Sequence, residues 1–283
     1  MPSNKLQIEG IIDRALAEDL AKGDVTTEAL IPGDHQGTGI IVAKKEGILA
    51  GTGTAKQVFH RVDPELKVEL LLDDGAKVKP GSEVARVLGS TASILKAERV
   101  ALNFLQRLSG IASETNRYVE AVRGLPVRIM DTRKTTPGLR LLEKHAVKTG
   151  GGQNHRMSLG DGILIKDNHL AALRSQGLNL KQIVAKARQN SPELAVEVEV
   201  GTVTEASEAV EAGADIIMLD NMSLEDMREA VKSIHGRALV EASGGITLNN
   251  VRAVAETGVD FISVGALTHS ARALDISLEL TDL

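Results

Sequence analysis

The stretch AVEVEVGTVTEASEAVEAGADIIMLDNM, residues 195–222, contains one complete strand–helix–strand pattern. Two short runs rich in Val, Ile and Leu enclose a segment with helical spacing, and each run ends at a polar turn. Continuous apolar runs of this kind are typical of parallel strands that are covered by helices. The stretch therefore predicts one βα unit of an α/β fold.

The same pattern recurs on both sides of this stretch. Four further apolar runs, each followed by a turn, are VRIMD (127–131), ILIKD (163–167), ALVEAS (238–243) and DFISVG (260–265). Six such units predict an incomplete parallel α/β barrel. A doubly wound sheet uses the same units, and periodicity alone does not separate the two arrangements.

The first part of the chain has a different pattern. Residues 7–21 have helical spacing, residues 37–90 resemble short strands joined by Gly and Pro turns, and residues 91–122 are helical again. We place a domain boundary near residue 110, inside or just after this long helix. The sequence thus predicts an N-terminal α/β domain before the barrel.

Composition excludes several classes of protein. The chain has 283 residues, a net charge of −5, no cysteine and 1% aromatic residues. Disulfides and thiolate metal sites are excluded, and neither a basic field nor aromatic stacking platforms are present to bind nucleic acid. No apolar run approaches the ~18 residues of a membrane span. Acidic residues interrupt the N-terminal segment, unlike a signal peptide, so we expect a cytoplasmic protein without nucleic-acid or membrane partners.

Polar residues follow the predicted strands at the end where barrel enzymes place their active sites. Residues 128–169 contain eight Lys or Arg residues against four acids, a local excess of positive charge in an acidic chain. This concentration predicts a pocket for a small polyanion, because Arg and Lys pair with carboxylates and phosphates. A solvated basic helix face is the alternative interpretation.

Glycine turns and acids complete the predicted site. The turns at 243–245 and 264–266 follow the last two strands, a common place for a phosphate, although glycines also simply make tight turns. Glu197 and Glu199 share one face of their strand, near Asp220, and could bind ribose hydroxyls, a divalent cation or a developing positive charge. An exposed polar strand face is the competing explanation. The spacing of His145, His155 and His169 fits no helical ligand pair and disfavours a zinc site.

One long block now becomes recognisable. DTRKTTPGLRLLEKHAVKTGGGQNHRMSLGDGILIKDNHL, residues 131–170, resembles the quinolinate phosphoribosyltransferase (decarboxylating) family. The resemblance continues in order through shorter segments that cover nearly the whole chain: 17–30, 98–113, 196–200, 214–222, 240–246 and 262–270. Ser158 and Gly160 depart from the family pattern and affect only the packing of a local loop.

The resemblance implies a fold, a reaction and an assembly. It implies an α/β sandwich domain over residues 1–112, with the tail 271–283 packed on it, and a barrel domain over 113–270. The implied reaction joins quinolinate to phosphoribosyl pyrophosphate with Mg²⁺, and gives nicotinate mononucleotide, pyrophosphate and CO₂ in NAD biosynthesis. The implied assembly is a homodimer, or a higher oligomer built on it, with active sites shared between subunits.

The resemblance also implies residue roles. Glu199, Asp220 and Lys166 are the expected catalytic residues, with Mg²⁺ bound through substrate and water near the two acids. The expected quinolinate-binding residues are Arg99 from the neighbouring subunit, Thr132, Arg133, His155, Arg156 and Lys166. The expected residues for phosphoribosyl pyrophosphate are Lys134, Lys166, Glu199, Asp220, Ser243, Gly244, Gly245, Val264, Gly265 and Ala266.

Three other functions are compatible with the sequence. A phosphoribosyltransferase related to molybdenum transport would share parts of the 131–170 block. A Schiff-base aldolase could use Lys166 at its strand end. A phosphate-binding module without catalysis would use the glycine turns but not the acids Glu199 and Asp220.

Overall fold

A computed structural model describes residues 4–282 of the chain. Two compact units are present. The first contains the chain up to Asn116, Thr135–Gly151 and the chain from Leu267 onward, and the second contains Arg117–Lys134 and Gly152–Ala266. A single cut in the sequence does not describe this division, because the chain leaves the second unit at Thr135 and returns to it at Gly152. The domain bounds 1–112 and 113–270 therefore stay predictions.

Eleven helices are present in the described residues. They are α1 (Asn4–Asp19), α2 (Val25–Leu30), α3 (Thr52–Val62), α4 (Thr91–Ala121), α5 (Arg140–Thr149), α6 (Asp167–Arg174), α7 (Leu180–Asn190), α8 (Val203–Glu211), α9 (Leu224–Ile234), α10 (Val251–Ala255) and α11 (Ala266–His269). None of these helices is both long enough and apolar enough to span a bilayer.

Twelve strands accompany the helices within residues 4–282. They are β1 (Gln36–Ala43), β2 (Gly47–Ile48), β3 (Lys67–Leu70), β4 (Lys77–Val78), β5 (Glu83–Ser90), β6 (Arg128–Met130), β7 (Ile163–Ile165), β8 (Val196–Val200), β9 (Ile216–Asp220), β10 (Leu239–Ser243), β11 (Phe261–Ser263) and β12 (Ile276–Asp282).

The first unit is built on an antiparallel sheet with the order β12-β1-β5-β3. The C-terminal strand β12 lies at one edge, with Ile41 opposite Leu278. The predicted long helix is α4, and its single internal glycine has a packing reason. A Cβ atom on Gly110 would lie 2.1 Å from the carbonyl oxygen of Arg272, so only glycine permits this close approach.

One element of the first unit contradicts the sequence prediction. Residues 37–90 were expected to form short strands only, but 52–62 form α3. Val58 and Phe59 are fully buried on this helix. Its first turn is capped from a distance, because Asp74 accepts hydrogen bonds from the backbone of Gly51 and Thr52 at 3.0 and 2.9 Å. Local spacing does not reveal a cap that lies more than 20 residues away.

The second unit is built on a parallel sheet with the order β6-β11-β10-β9-β8-β7. From β7 to β11, strands that follow one another in the chain are neighbours, and the last strand, β11, pairs with the first, β6. Winding in one direction with this return is barrel topology, whereas a doubly wound sheet reverses its order. On its other side, Met130 of β6 pairs in parallel with Gln153, which extends the ring of strands. The predicted α/β fold with an incomplete parallel barrel is confirmed.

Strand β8 has one apolar face and one polar face. Val196, Val198 and Val200 are buried on one face of the strand, and α7 and α8 pack against β8. Glu197 and Glu199 alternate with these valines and project from the opposite face. Glu241 of β10 lies on the same face as Glu199, because both residues pair with Met218 of β9. The polar face therefore carries the candidate site.

Candidate active site

The carboxyl ends of β7, β8 and β9 bring together the three predicted catalytic residues. Lys166 follows β7, Glu199 lies near the end of β8, and Asp220 ends β9. Nζ of Lys166 lies 2.8 Å from Oε2 of Glu199. A cavity of about 340 Å³ adjoins them, and its wall includes Asp167, Glu199, Gly201, Glu205 and Asp220. Its carboxylates are oxygen donors of the kind that Mg²⁺ prefers.

The turn after β9 packs closely against the turn after β10. Asn221 has a left-handed backbone with φ of 54°, and its Nδ2 donates to Oδ2 of Asp220 at 2.8 Å. Its backbone N–H donates to the carbonyl of Ser243 at 2.9 Å. Gly244 has φ of +87°, and a Cβ on it would lie 2.3 Å from Oδ1 of Asn221. The Ser-Gly-Gly turn is thus shaped by a neighbour that orients Asp220.

The two predicted phosphate turns lie beside each other. Ser243, Gly244 and Gly245 follow β10, and Val264, Gly265 and Ala266 follow its neighbour β11. The backbone N–H of Val264 donates to the carbonyl of Met130 at 2.9 Å. The helix that follows the Ser-Gly-Gly turn, α10, begins at Val251.

The segment after β6 carries further predicted ligands. Asp131 is fully buried, and its Oδ1 accepts the backbone N–H of His155 at 2.9 Å. Oγ1 of Thr132 accepts the backbone N–H of Lys134 at 3.0 Å. Arg133 is half-buried and Lys134 is exposed. Asp131 therefore joins this segment to the one that carries His155.

His155 faces two buried glutamates. Its Nε2 lies 3.2 Å from Oε2 of Glu197 and 3.6 Å from Oε2 of Glu241. The side chains of Glu197 and Glu241 are only 6% and 2% exposed. Glu241 also accepts a hydrogen bond from the hydroxyl of Ser263. Burial and the neighbouring Glu197 raise the pKa of Glu241 to about 7.

The ring of His155 is neutral in this arrangement. Its Nδ1 accepts the backbone N–H of Arg156 at 2.9 Å, so Nδ1 carries no proton. The proton therefore resides on Nε2, which faces the glutamates. Nε2 of His155 and the carboxylates of Glu197 and Glu241 lie close enough to hold a metal ion, within 4.8 Å of one another. A metal would need the Nε2 lone pair, which the proton occupies, so the hydrogen-bonded form fits this geometry better.

Arg156 lies in the same place. Its Nη1 donates to the carbonyl of Gly162 at 3.0 Å. Burial and the nearby charge of Arg133 lower the pKa of Arg156, and Glu197 and Asp161 oppose that effect. His155, Arg156, Glu197 and Glu241 line a second cavity of about 190 Å³. Because Glu197 and Glu199 share a face of β8, this second cavity lies on the same face of the sheet as the first.

The predicted cationic segment 128–169 divides between the two units. Arg133, Lys134, Arg156 and Lys166 belong to the second unit with the acids of the site. Arg140, Lys144 and Lys148 lie on α5 in the first unit, where Lys144 is fully buried. The cationic pocket predicted from this segment stays a prediction. Arg99, predicted to serve a neighbouring subunit, is exposed on α4.

Two residues of this region were missed by sequence reasoning. Glu241 and Ser263 were not predicted to belong to the site, although both lie on its wall or contact its wall. The available signal was alternation: Glu241 shares a face with Ser243, which was predicted. An isolated acid inside an apolar run was not distinctive enough to single out.

Comparison with known proteins identifies the family. The model of the quinolinate phosphoribosyl transferase N-terminal domain matches residues 24–109, and the model of the C-terminal domain matches residues 111–279. The chain belongs to the quinolinate phosphoribosyl transferase family. Membership in this family, predicted from the 131–170 block, is confirmed.

Curated relatives agree with this membership over nearly the whole chain. The mitochondrial quinolinate phosphoribosyltransferase (decarboxylating) 2a of Nicotiana tabacum is 45% identical, over 96% of this chain and 82% of its own. A probable nicotinate-nucleotide pyrophosphorylase (carboxylating) of Bacillus subtilis is 43% identical, over 98% and 95%. The crystal structure of NadC from Streptococcus pyogenes matches with a TM-score of 0.94 and 44% identity, over 98% of both chains.

Proposed function

We propose that this chain transfers the phosphoribosyl group of phosphoribosyl pyrophosphate to quinolinate, with loss of CO₂, and so makes nicotinate mononucleotide for NAD biosynthesis. The observation that carries the proposal is the ordered match of both family domains over residues 24–279. Relatives named for this activity are 43–45% identical over nearly the full chain. We also propose that the enzyme is cytoplasmic.

The quinolinate site is proposed at Thr132, Arg133, His155, Arg156 and Lys166, with Arg99 supplied by the neighbouring subunit of a homodimer. Quinolinate carries two carboxylates, and guanidinium groups bind carboxylates with paired hydrogen bonds. Burial and the charge of Arg133 lower the pKa of Arg156, and two cations that act on each other in this way support a site built for a dianion. The ring of His155 is neutral, so it would donate a hydrogen bond from Nε2 rather than supply a positive charge.

The site for phosphoribosyl pyrophosphate is proposed at the carboxyl ends of β6 to β11. Lys134 and Lys166 would bind the pyrophosphate. The turns at 243–245 and 264–266 would bind the phosphate ester. Glu199 and Asp220 would hold the ribose hydroxyls. Both carboxylates line the 340 Å³ cavity, where fixed negative charge stabilises the positive charge that grows at the ribose carbon.

Magnesium fits this cavity, because its acids offer oxygen donors and leave room for water. The ion would be held by pyrophosphate oxygens and water beside Glu199 and Asp220. When bound, it would neutralise charge on the departing pyrophosphate. The chain itself would hold the ribose through Glu199 and Asp220, and Lys166 would pair with the pyrophosphate.

Chemistry then proceeds without a protein nucleophile. The ring nitrogen of quinolinate attacks the ribose carbon, pyrophosphate leaves, and the nitrogen becomes a cationic pyridinium. That cation draws the electron pair of the adjacent ring–carboxylate bond as CO₂ departs, and a solvent proton replaces it. The protein's work is positioning and electrostatics, which suits a site composed of fixed charges.

The test is direct. Purified protein is mixed with quinolinate, phosphoribosyl pyrophosphate and Mg²⁺, and nicotinate mononucleotide is measured together with released CO₂. We expect one CO₂ for each mononucleotide. Quinolinate should exceed nicotinate by at least ~10³ in kcat/KM, because a site built to pair a second carboxylate leaves cations unpaired with nicotinate. Comparable turnover of nicotinate, or no product from quinolinate, would contradict the proposal.

The aldolase alternative receives less support from the geometry. A Schiff-base lysine reacts as a neutral amine, usually in an apolar or cationic pocket. Lys166 instead makes a 2.8 Å ion pair with Glu199 and is 46% exposed. Borohydride trapping with a keto substrate would separate the two functions, and we expect no covalent adduct.

A further inference from the structure

Oε1 of Glu197 makes no hydrogen bond within residues 4–282, although the side chain is only 6% exposed. Leaving a buried acceptor unsatisfied is costly, and native proteins keep such groups rarely. Glu197 lies on the wall of the 190 Å³ cavity together with His155 and Arg156. Glu197 is therefore an energetically costly buried carboxylate beside two proposed quinolinate-binding residues, which indicates a functional role.

The second cavity is surrounded by several titratable groups. The ring of His155 is neutral, since Nδ1 accepts the N–H of Arg156. Glu241 is hydrogen-bonded to Ser263, and its pKa of about 7 leaves it largely neutral at lower pH. Asp161 is engaged by the backbone of Met157 and Ser158. Two carboxylates oppose the lowered pKa of Arg156, and Glu197 has the larger effect while Asp161 has the smaller one, so Glu197 counteracts this cation.

Decarboxylation makes this opposition useful. Cations that bind the departing carboxylate tightly stabilise the substrate more than the transition state, because the carboxylate loses its negative charge as CO₂ forms. We propose that Glu197 weakens the pocket's hold on the carboxylate that leaves, and so speeds decarboxylation at the expense of quinolinate affinity. This inference rests on the proposed function.

The step balances without any further reactant. In the mononucleotide of quinolinate, the bond between the ring carbon and its carboxylate breaks, and the electron pair stays on that ring carbon beside the pyridinium nitrogen. CO₂ leaves, and water supplies the proton that the ring carbon takes up. Repulsion between Glu197 and the carboxylate is present before the bond breaks and vanishes with it. Relief of ground-state repulsion is thus the proposed contribution of Glu197.

The decisive variant is Glu197→Gln, which keeps the shape and an acceptor for His155 but removes the charge. We expect quinolinate to bind roughly tenfold more tightly by calorimetry without phosphoribosyl pyrophosphate, and kcat to fall by roughly tenfold. Rapid quenching followed by mass spectrometry should show accumulation of the quinolinate mononucleotide. A purely structural role predicts the opposite for affinity, because a disturbed pocket binds more weakly.

Glu241→Gln is the matched comparison. It makes the same chemical change on the next strand but one, 3.6 Å from the same imidazole nitrogen. Because Glu241 is largely neutral below pH 7, its replacement at pH 6 should shift quinolinate affinity less than the replacement of Glu197 does. Equal shifts in the two variants would overturn the assignment of the charge to Glu197.

The outcomes separate the inference from the function on which it rests. A wild-type protein that makes no nicotinate mononucleotide contradicts the proposed function. An active wild type with a Glu197→Gln variant that binds quinolinate more weakly, or that accumulates no intermediate, overturns the inference alone. Should circular dichroism show that this variant is unfolded, Glu197→Asp tests the same point, since it withdraws the charge by one methylene and should produce the same split to a smaller degree.

Discussion

Nζ of Lys166 lies 2.8 Å from Oε2 of Glu199, so an ion pair joins the ends of two neighbouring strands in the proposed site. The lysine is 46% exposed and the glutamate 14% exposed. Exposed ion pairs contribute little to stability, typically ~0–1 kcal/mol. The pair therefore matters for where each group is held, and it keeps a cation and an acid side by side in the proposed site for phosphoribosyl pyrophosphate.

Glu199→Gln should separate stability from catalysis. We expect its free energy of unfolding, measured in urea, to stay within about 1 kcal/mol of the wild type. Its kcat should fall by ~10²–10³, as is typical when one preorganised electrostatic partner is lost. Glu208→Gln makes the same change on an exposed position of α8 and should leave both quantities unchanged. Unaltered turnover in Glu199→Gln would remove this residue from the catalytic group.

Gly244→Ala should disturb the proposed phosphate turn more than its backbone angle alone explains. A Cβ at Gly244 would lie 2.3 Å from Oδ1 of Asn221, whereas Gly213 has nearly the same φ, +86° against +87°, and open space around it. Gly213→Ala is therefore the matched control for backbone strain. We expect the KM for phosphoribosyl pyrophosphate to rise clearly only in Gly244→Ala. An equal rise in both variants would show that strain, and not displacement of Asn221, is responsible.

The parallel half of the fold was predictable from sequence because its strands are continuous apolar runs. Each of the six runs is a strand, and the polar residues that follow them meet at one edge of the sheet. What sequence could not decide was barrel against doubly wound sheet. That choice depends on the pairing of β11 with β6, which joins residues more than 100 positions apart.

The missed features share one physical reason. Helix α3 depends on a cap from Asp74, and the partners of His155 come from β8 and β10. None of these contacts leaves a pattern in neighbouring residues. The sequence placed His155 in the site through the family resemblance, but it could not show the protonation state, and only the hydrogen bond to its Nδ1 shows a neutral ring.

The same Asp74 makes the first unit sensitive to pH. His145 donates from Nε2 to Oδ2 of Asp74 at 3.0 Å, and this hydrogen bond raises the pKa of His145. Burial of Asp74 is outweighed by hydrogen bonds from His145, Gly51 and Thr52, so its pKa falls to about 2. Because the pKa of His145 is raised in the folded protein, its interaction with Asp74 stabilises the fold fully below the ordinary pKa of 6.5. This stabilisation is lost as pH rises through the pKa of the folded state. Because the pKa of Asp74 is lowered, its carboxylate stabilises the fold above the ordinary pKa of 3.8. This stabilisation is lost as pH falls toward 2.

His145→Gln should therefore flatten one side of the stability profile. The amide can still donate to Asp74 but does not titrate near neutrality. As pH rises above 6.5, the free energy of unfolding of the wild type, measured in urea, should fall by about 1 kcal/mol or less relative to the variant. The effect is small because the side chain of His145 is 55% exposed. His60→Gln, on α3 of the same unit, is the control and should follow the wild type. Parallel profiles for the wild type and His145→Gln would contradict the assignment.

Arg99 tests the proposed sharing of sites between subunits. It is exposed on α4, and Asn103 lies on the same exposed stripe while Val100, Phe104 and Leu108 are buried. A helix stripe of this kind is either solvated or reserved for a partner. If Arg99 enters the quinolinate site of a neighbouring chain, its loss removes one member of a buried charge pair, which costs roughly 2–5 kcal/mol of binding. Arg99→Ala should then fold normally, as circular dichroism and thermal unfolding would show, and lose quinolinate affinity.

Complementation between two inactive variants decides the matter. Arg99→Ala and Arg133→Ala would damage the same site from different chains, so a mixed dimer contains one site with both lesions and one site with neither. Random exchange should restore up to about a quarter of wild-type activity, since half of the dimers are mixed and each has one intact site of two. Native mass spectrometry on differently labelled subunits verifies that exchange occurred. Complete exchange without any return of activity would place both arginines in the same chain's site or Arg99 in none, and it would leave Arg99 as a solvated helix residue.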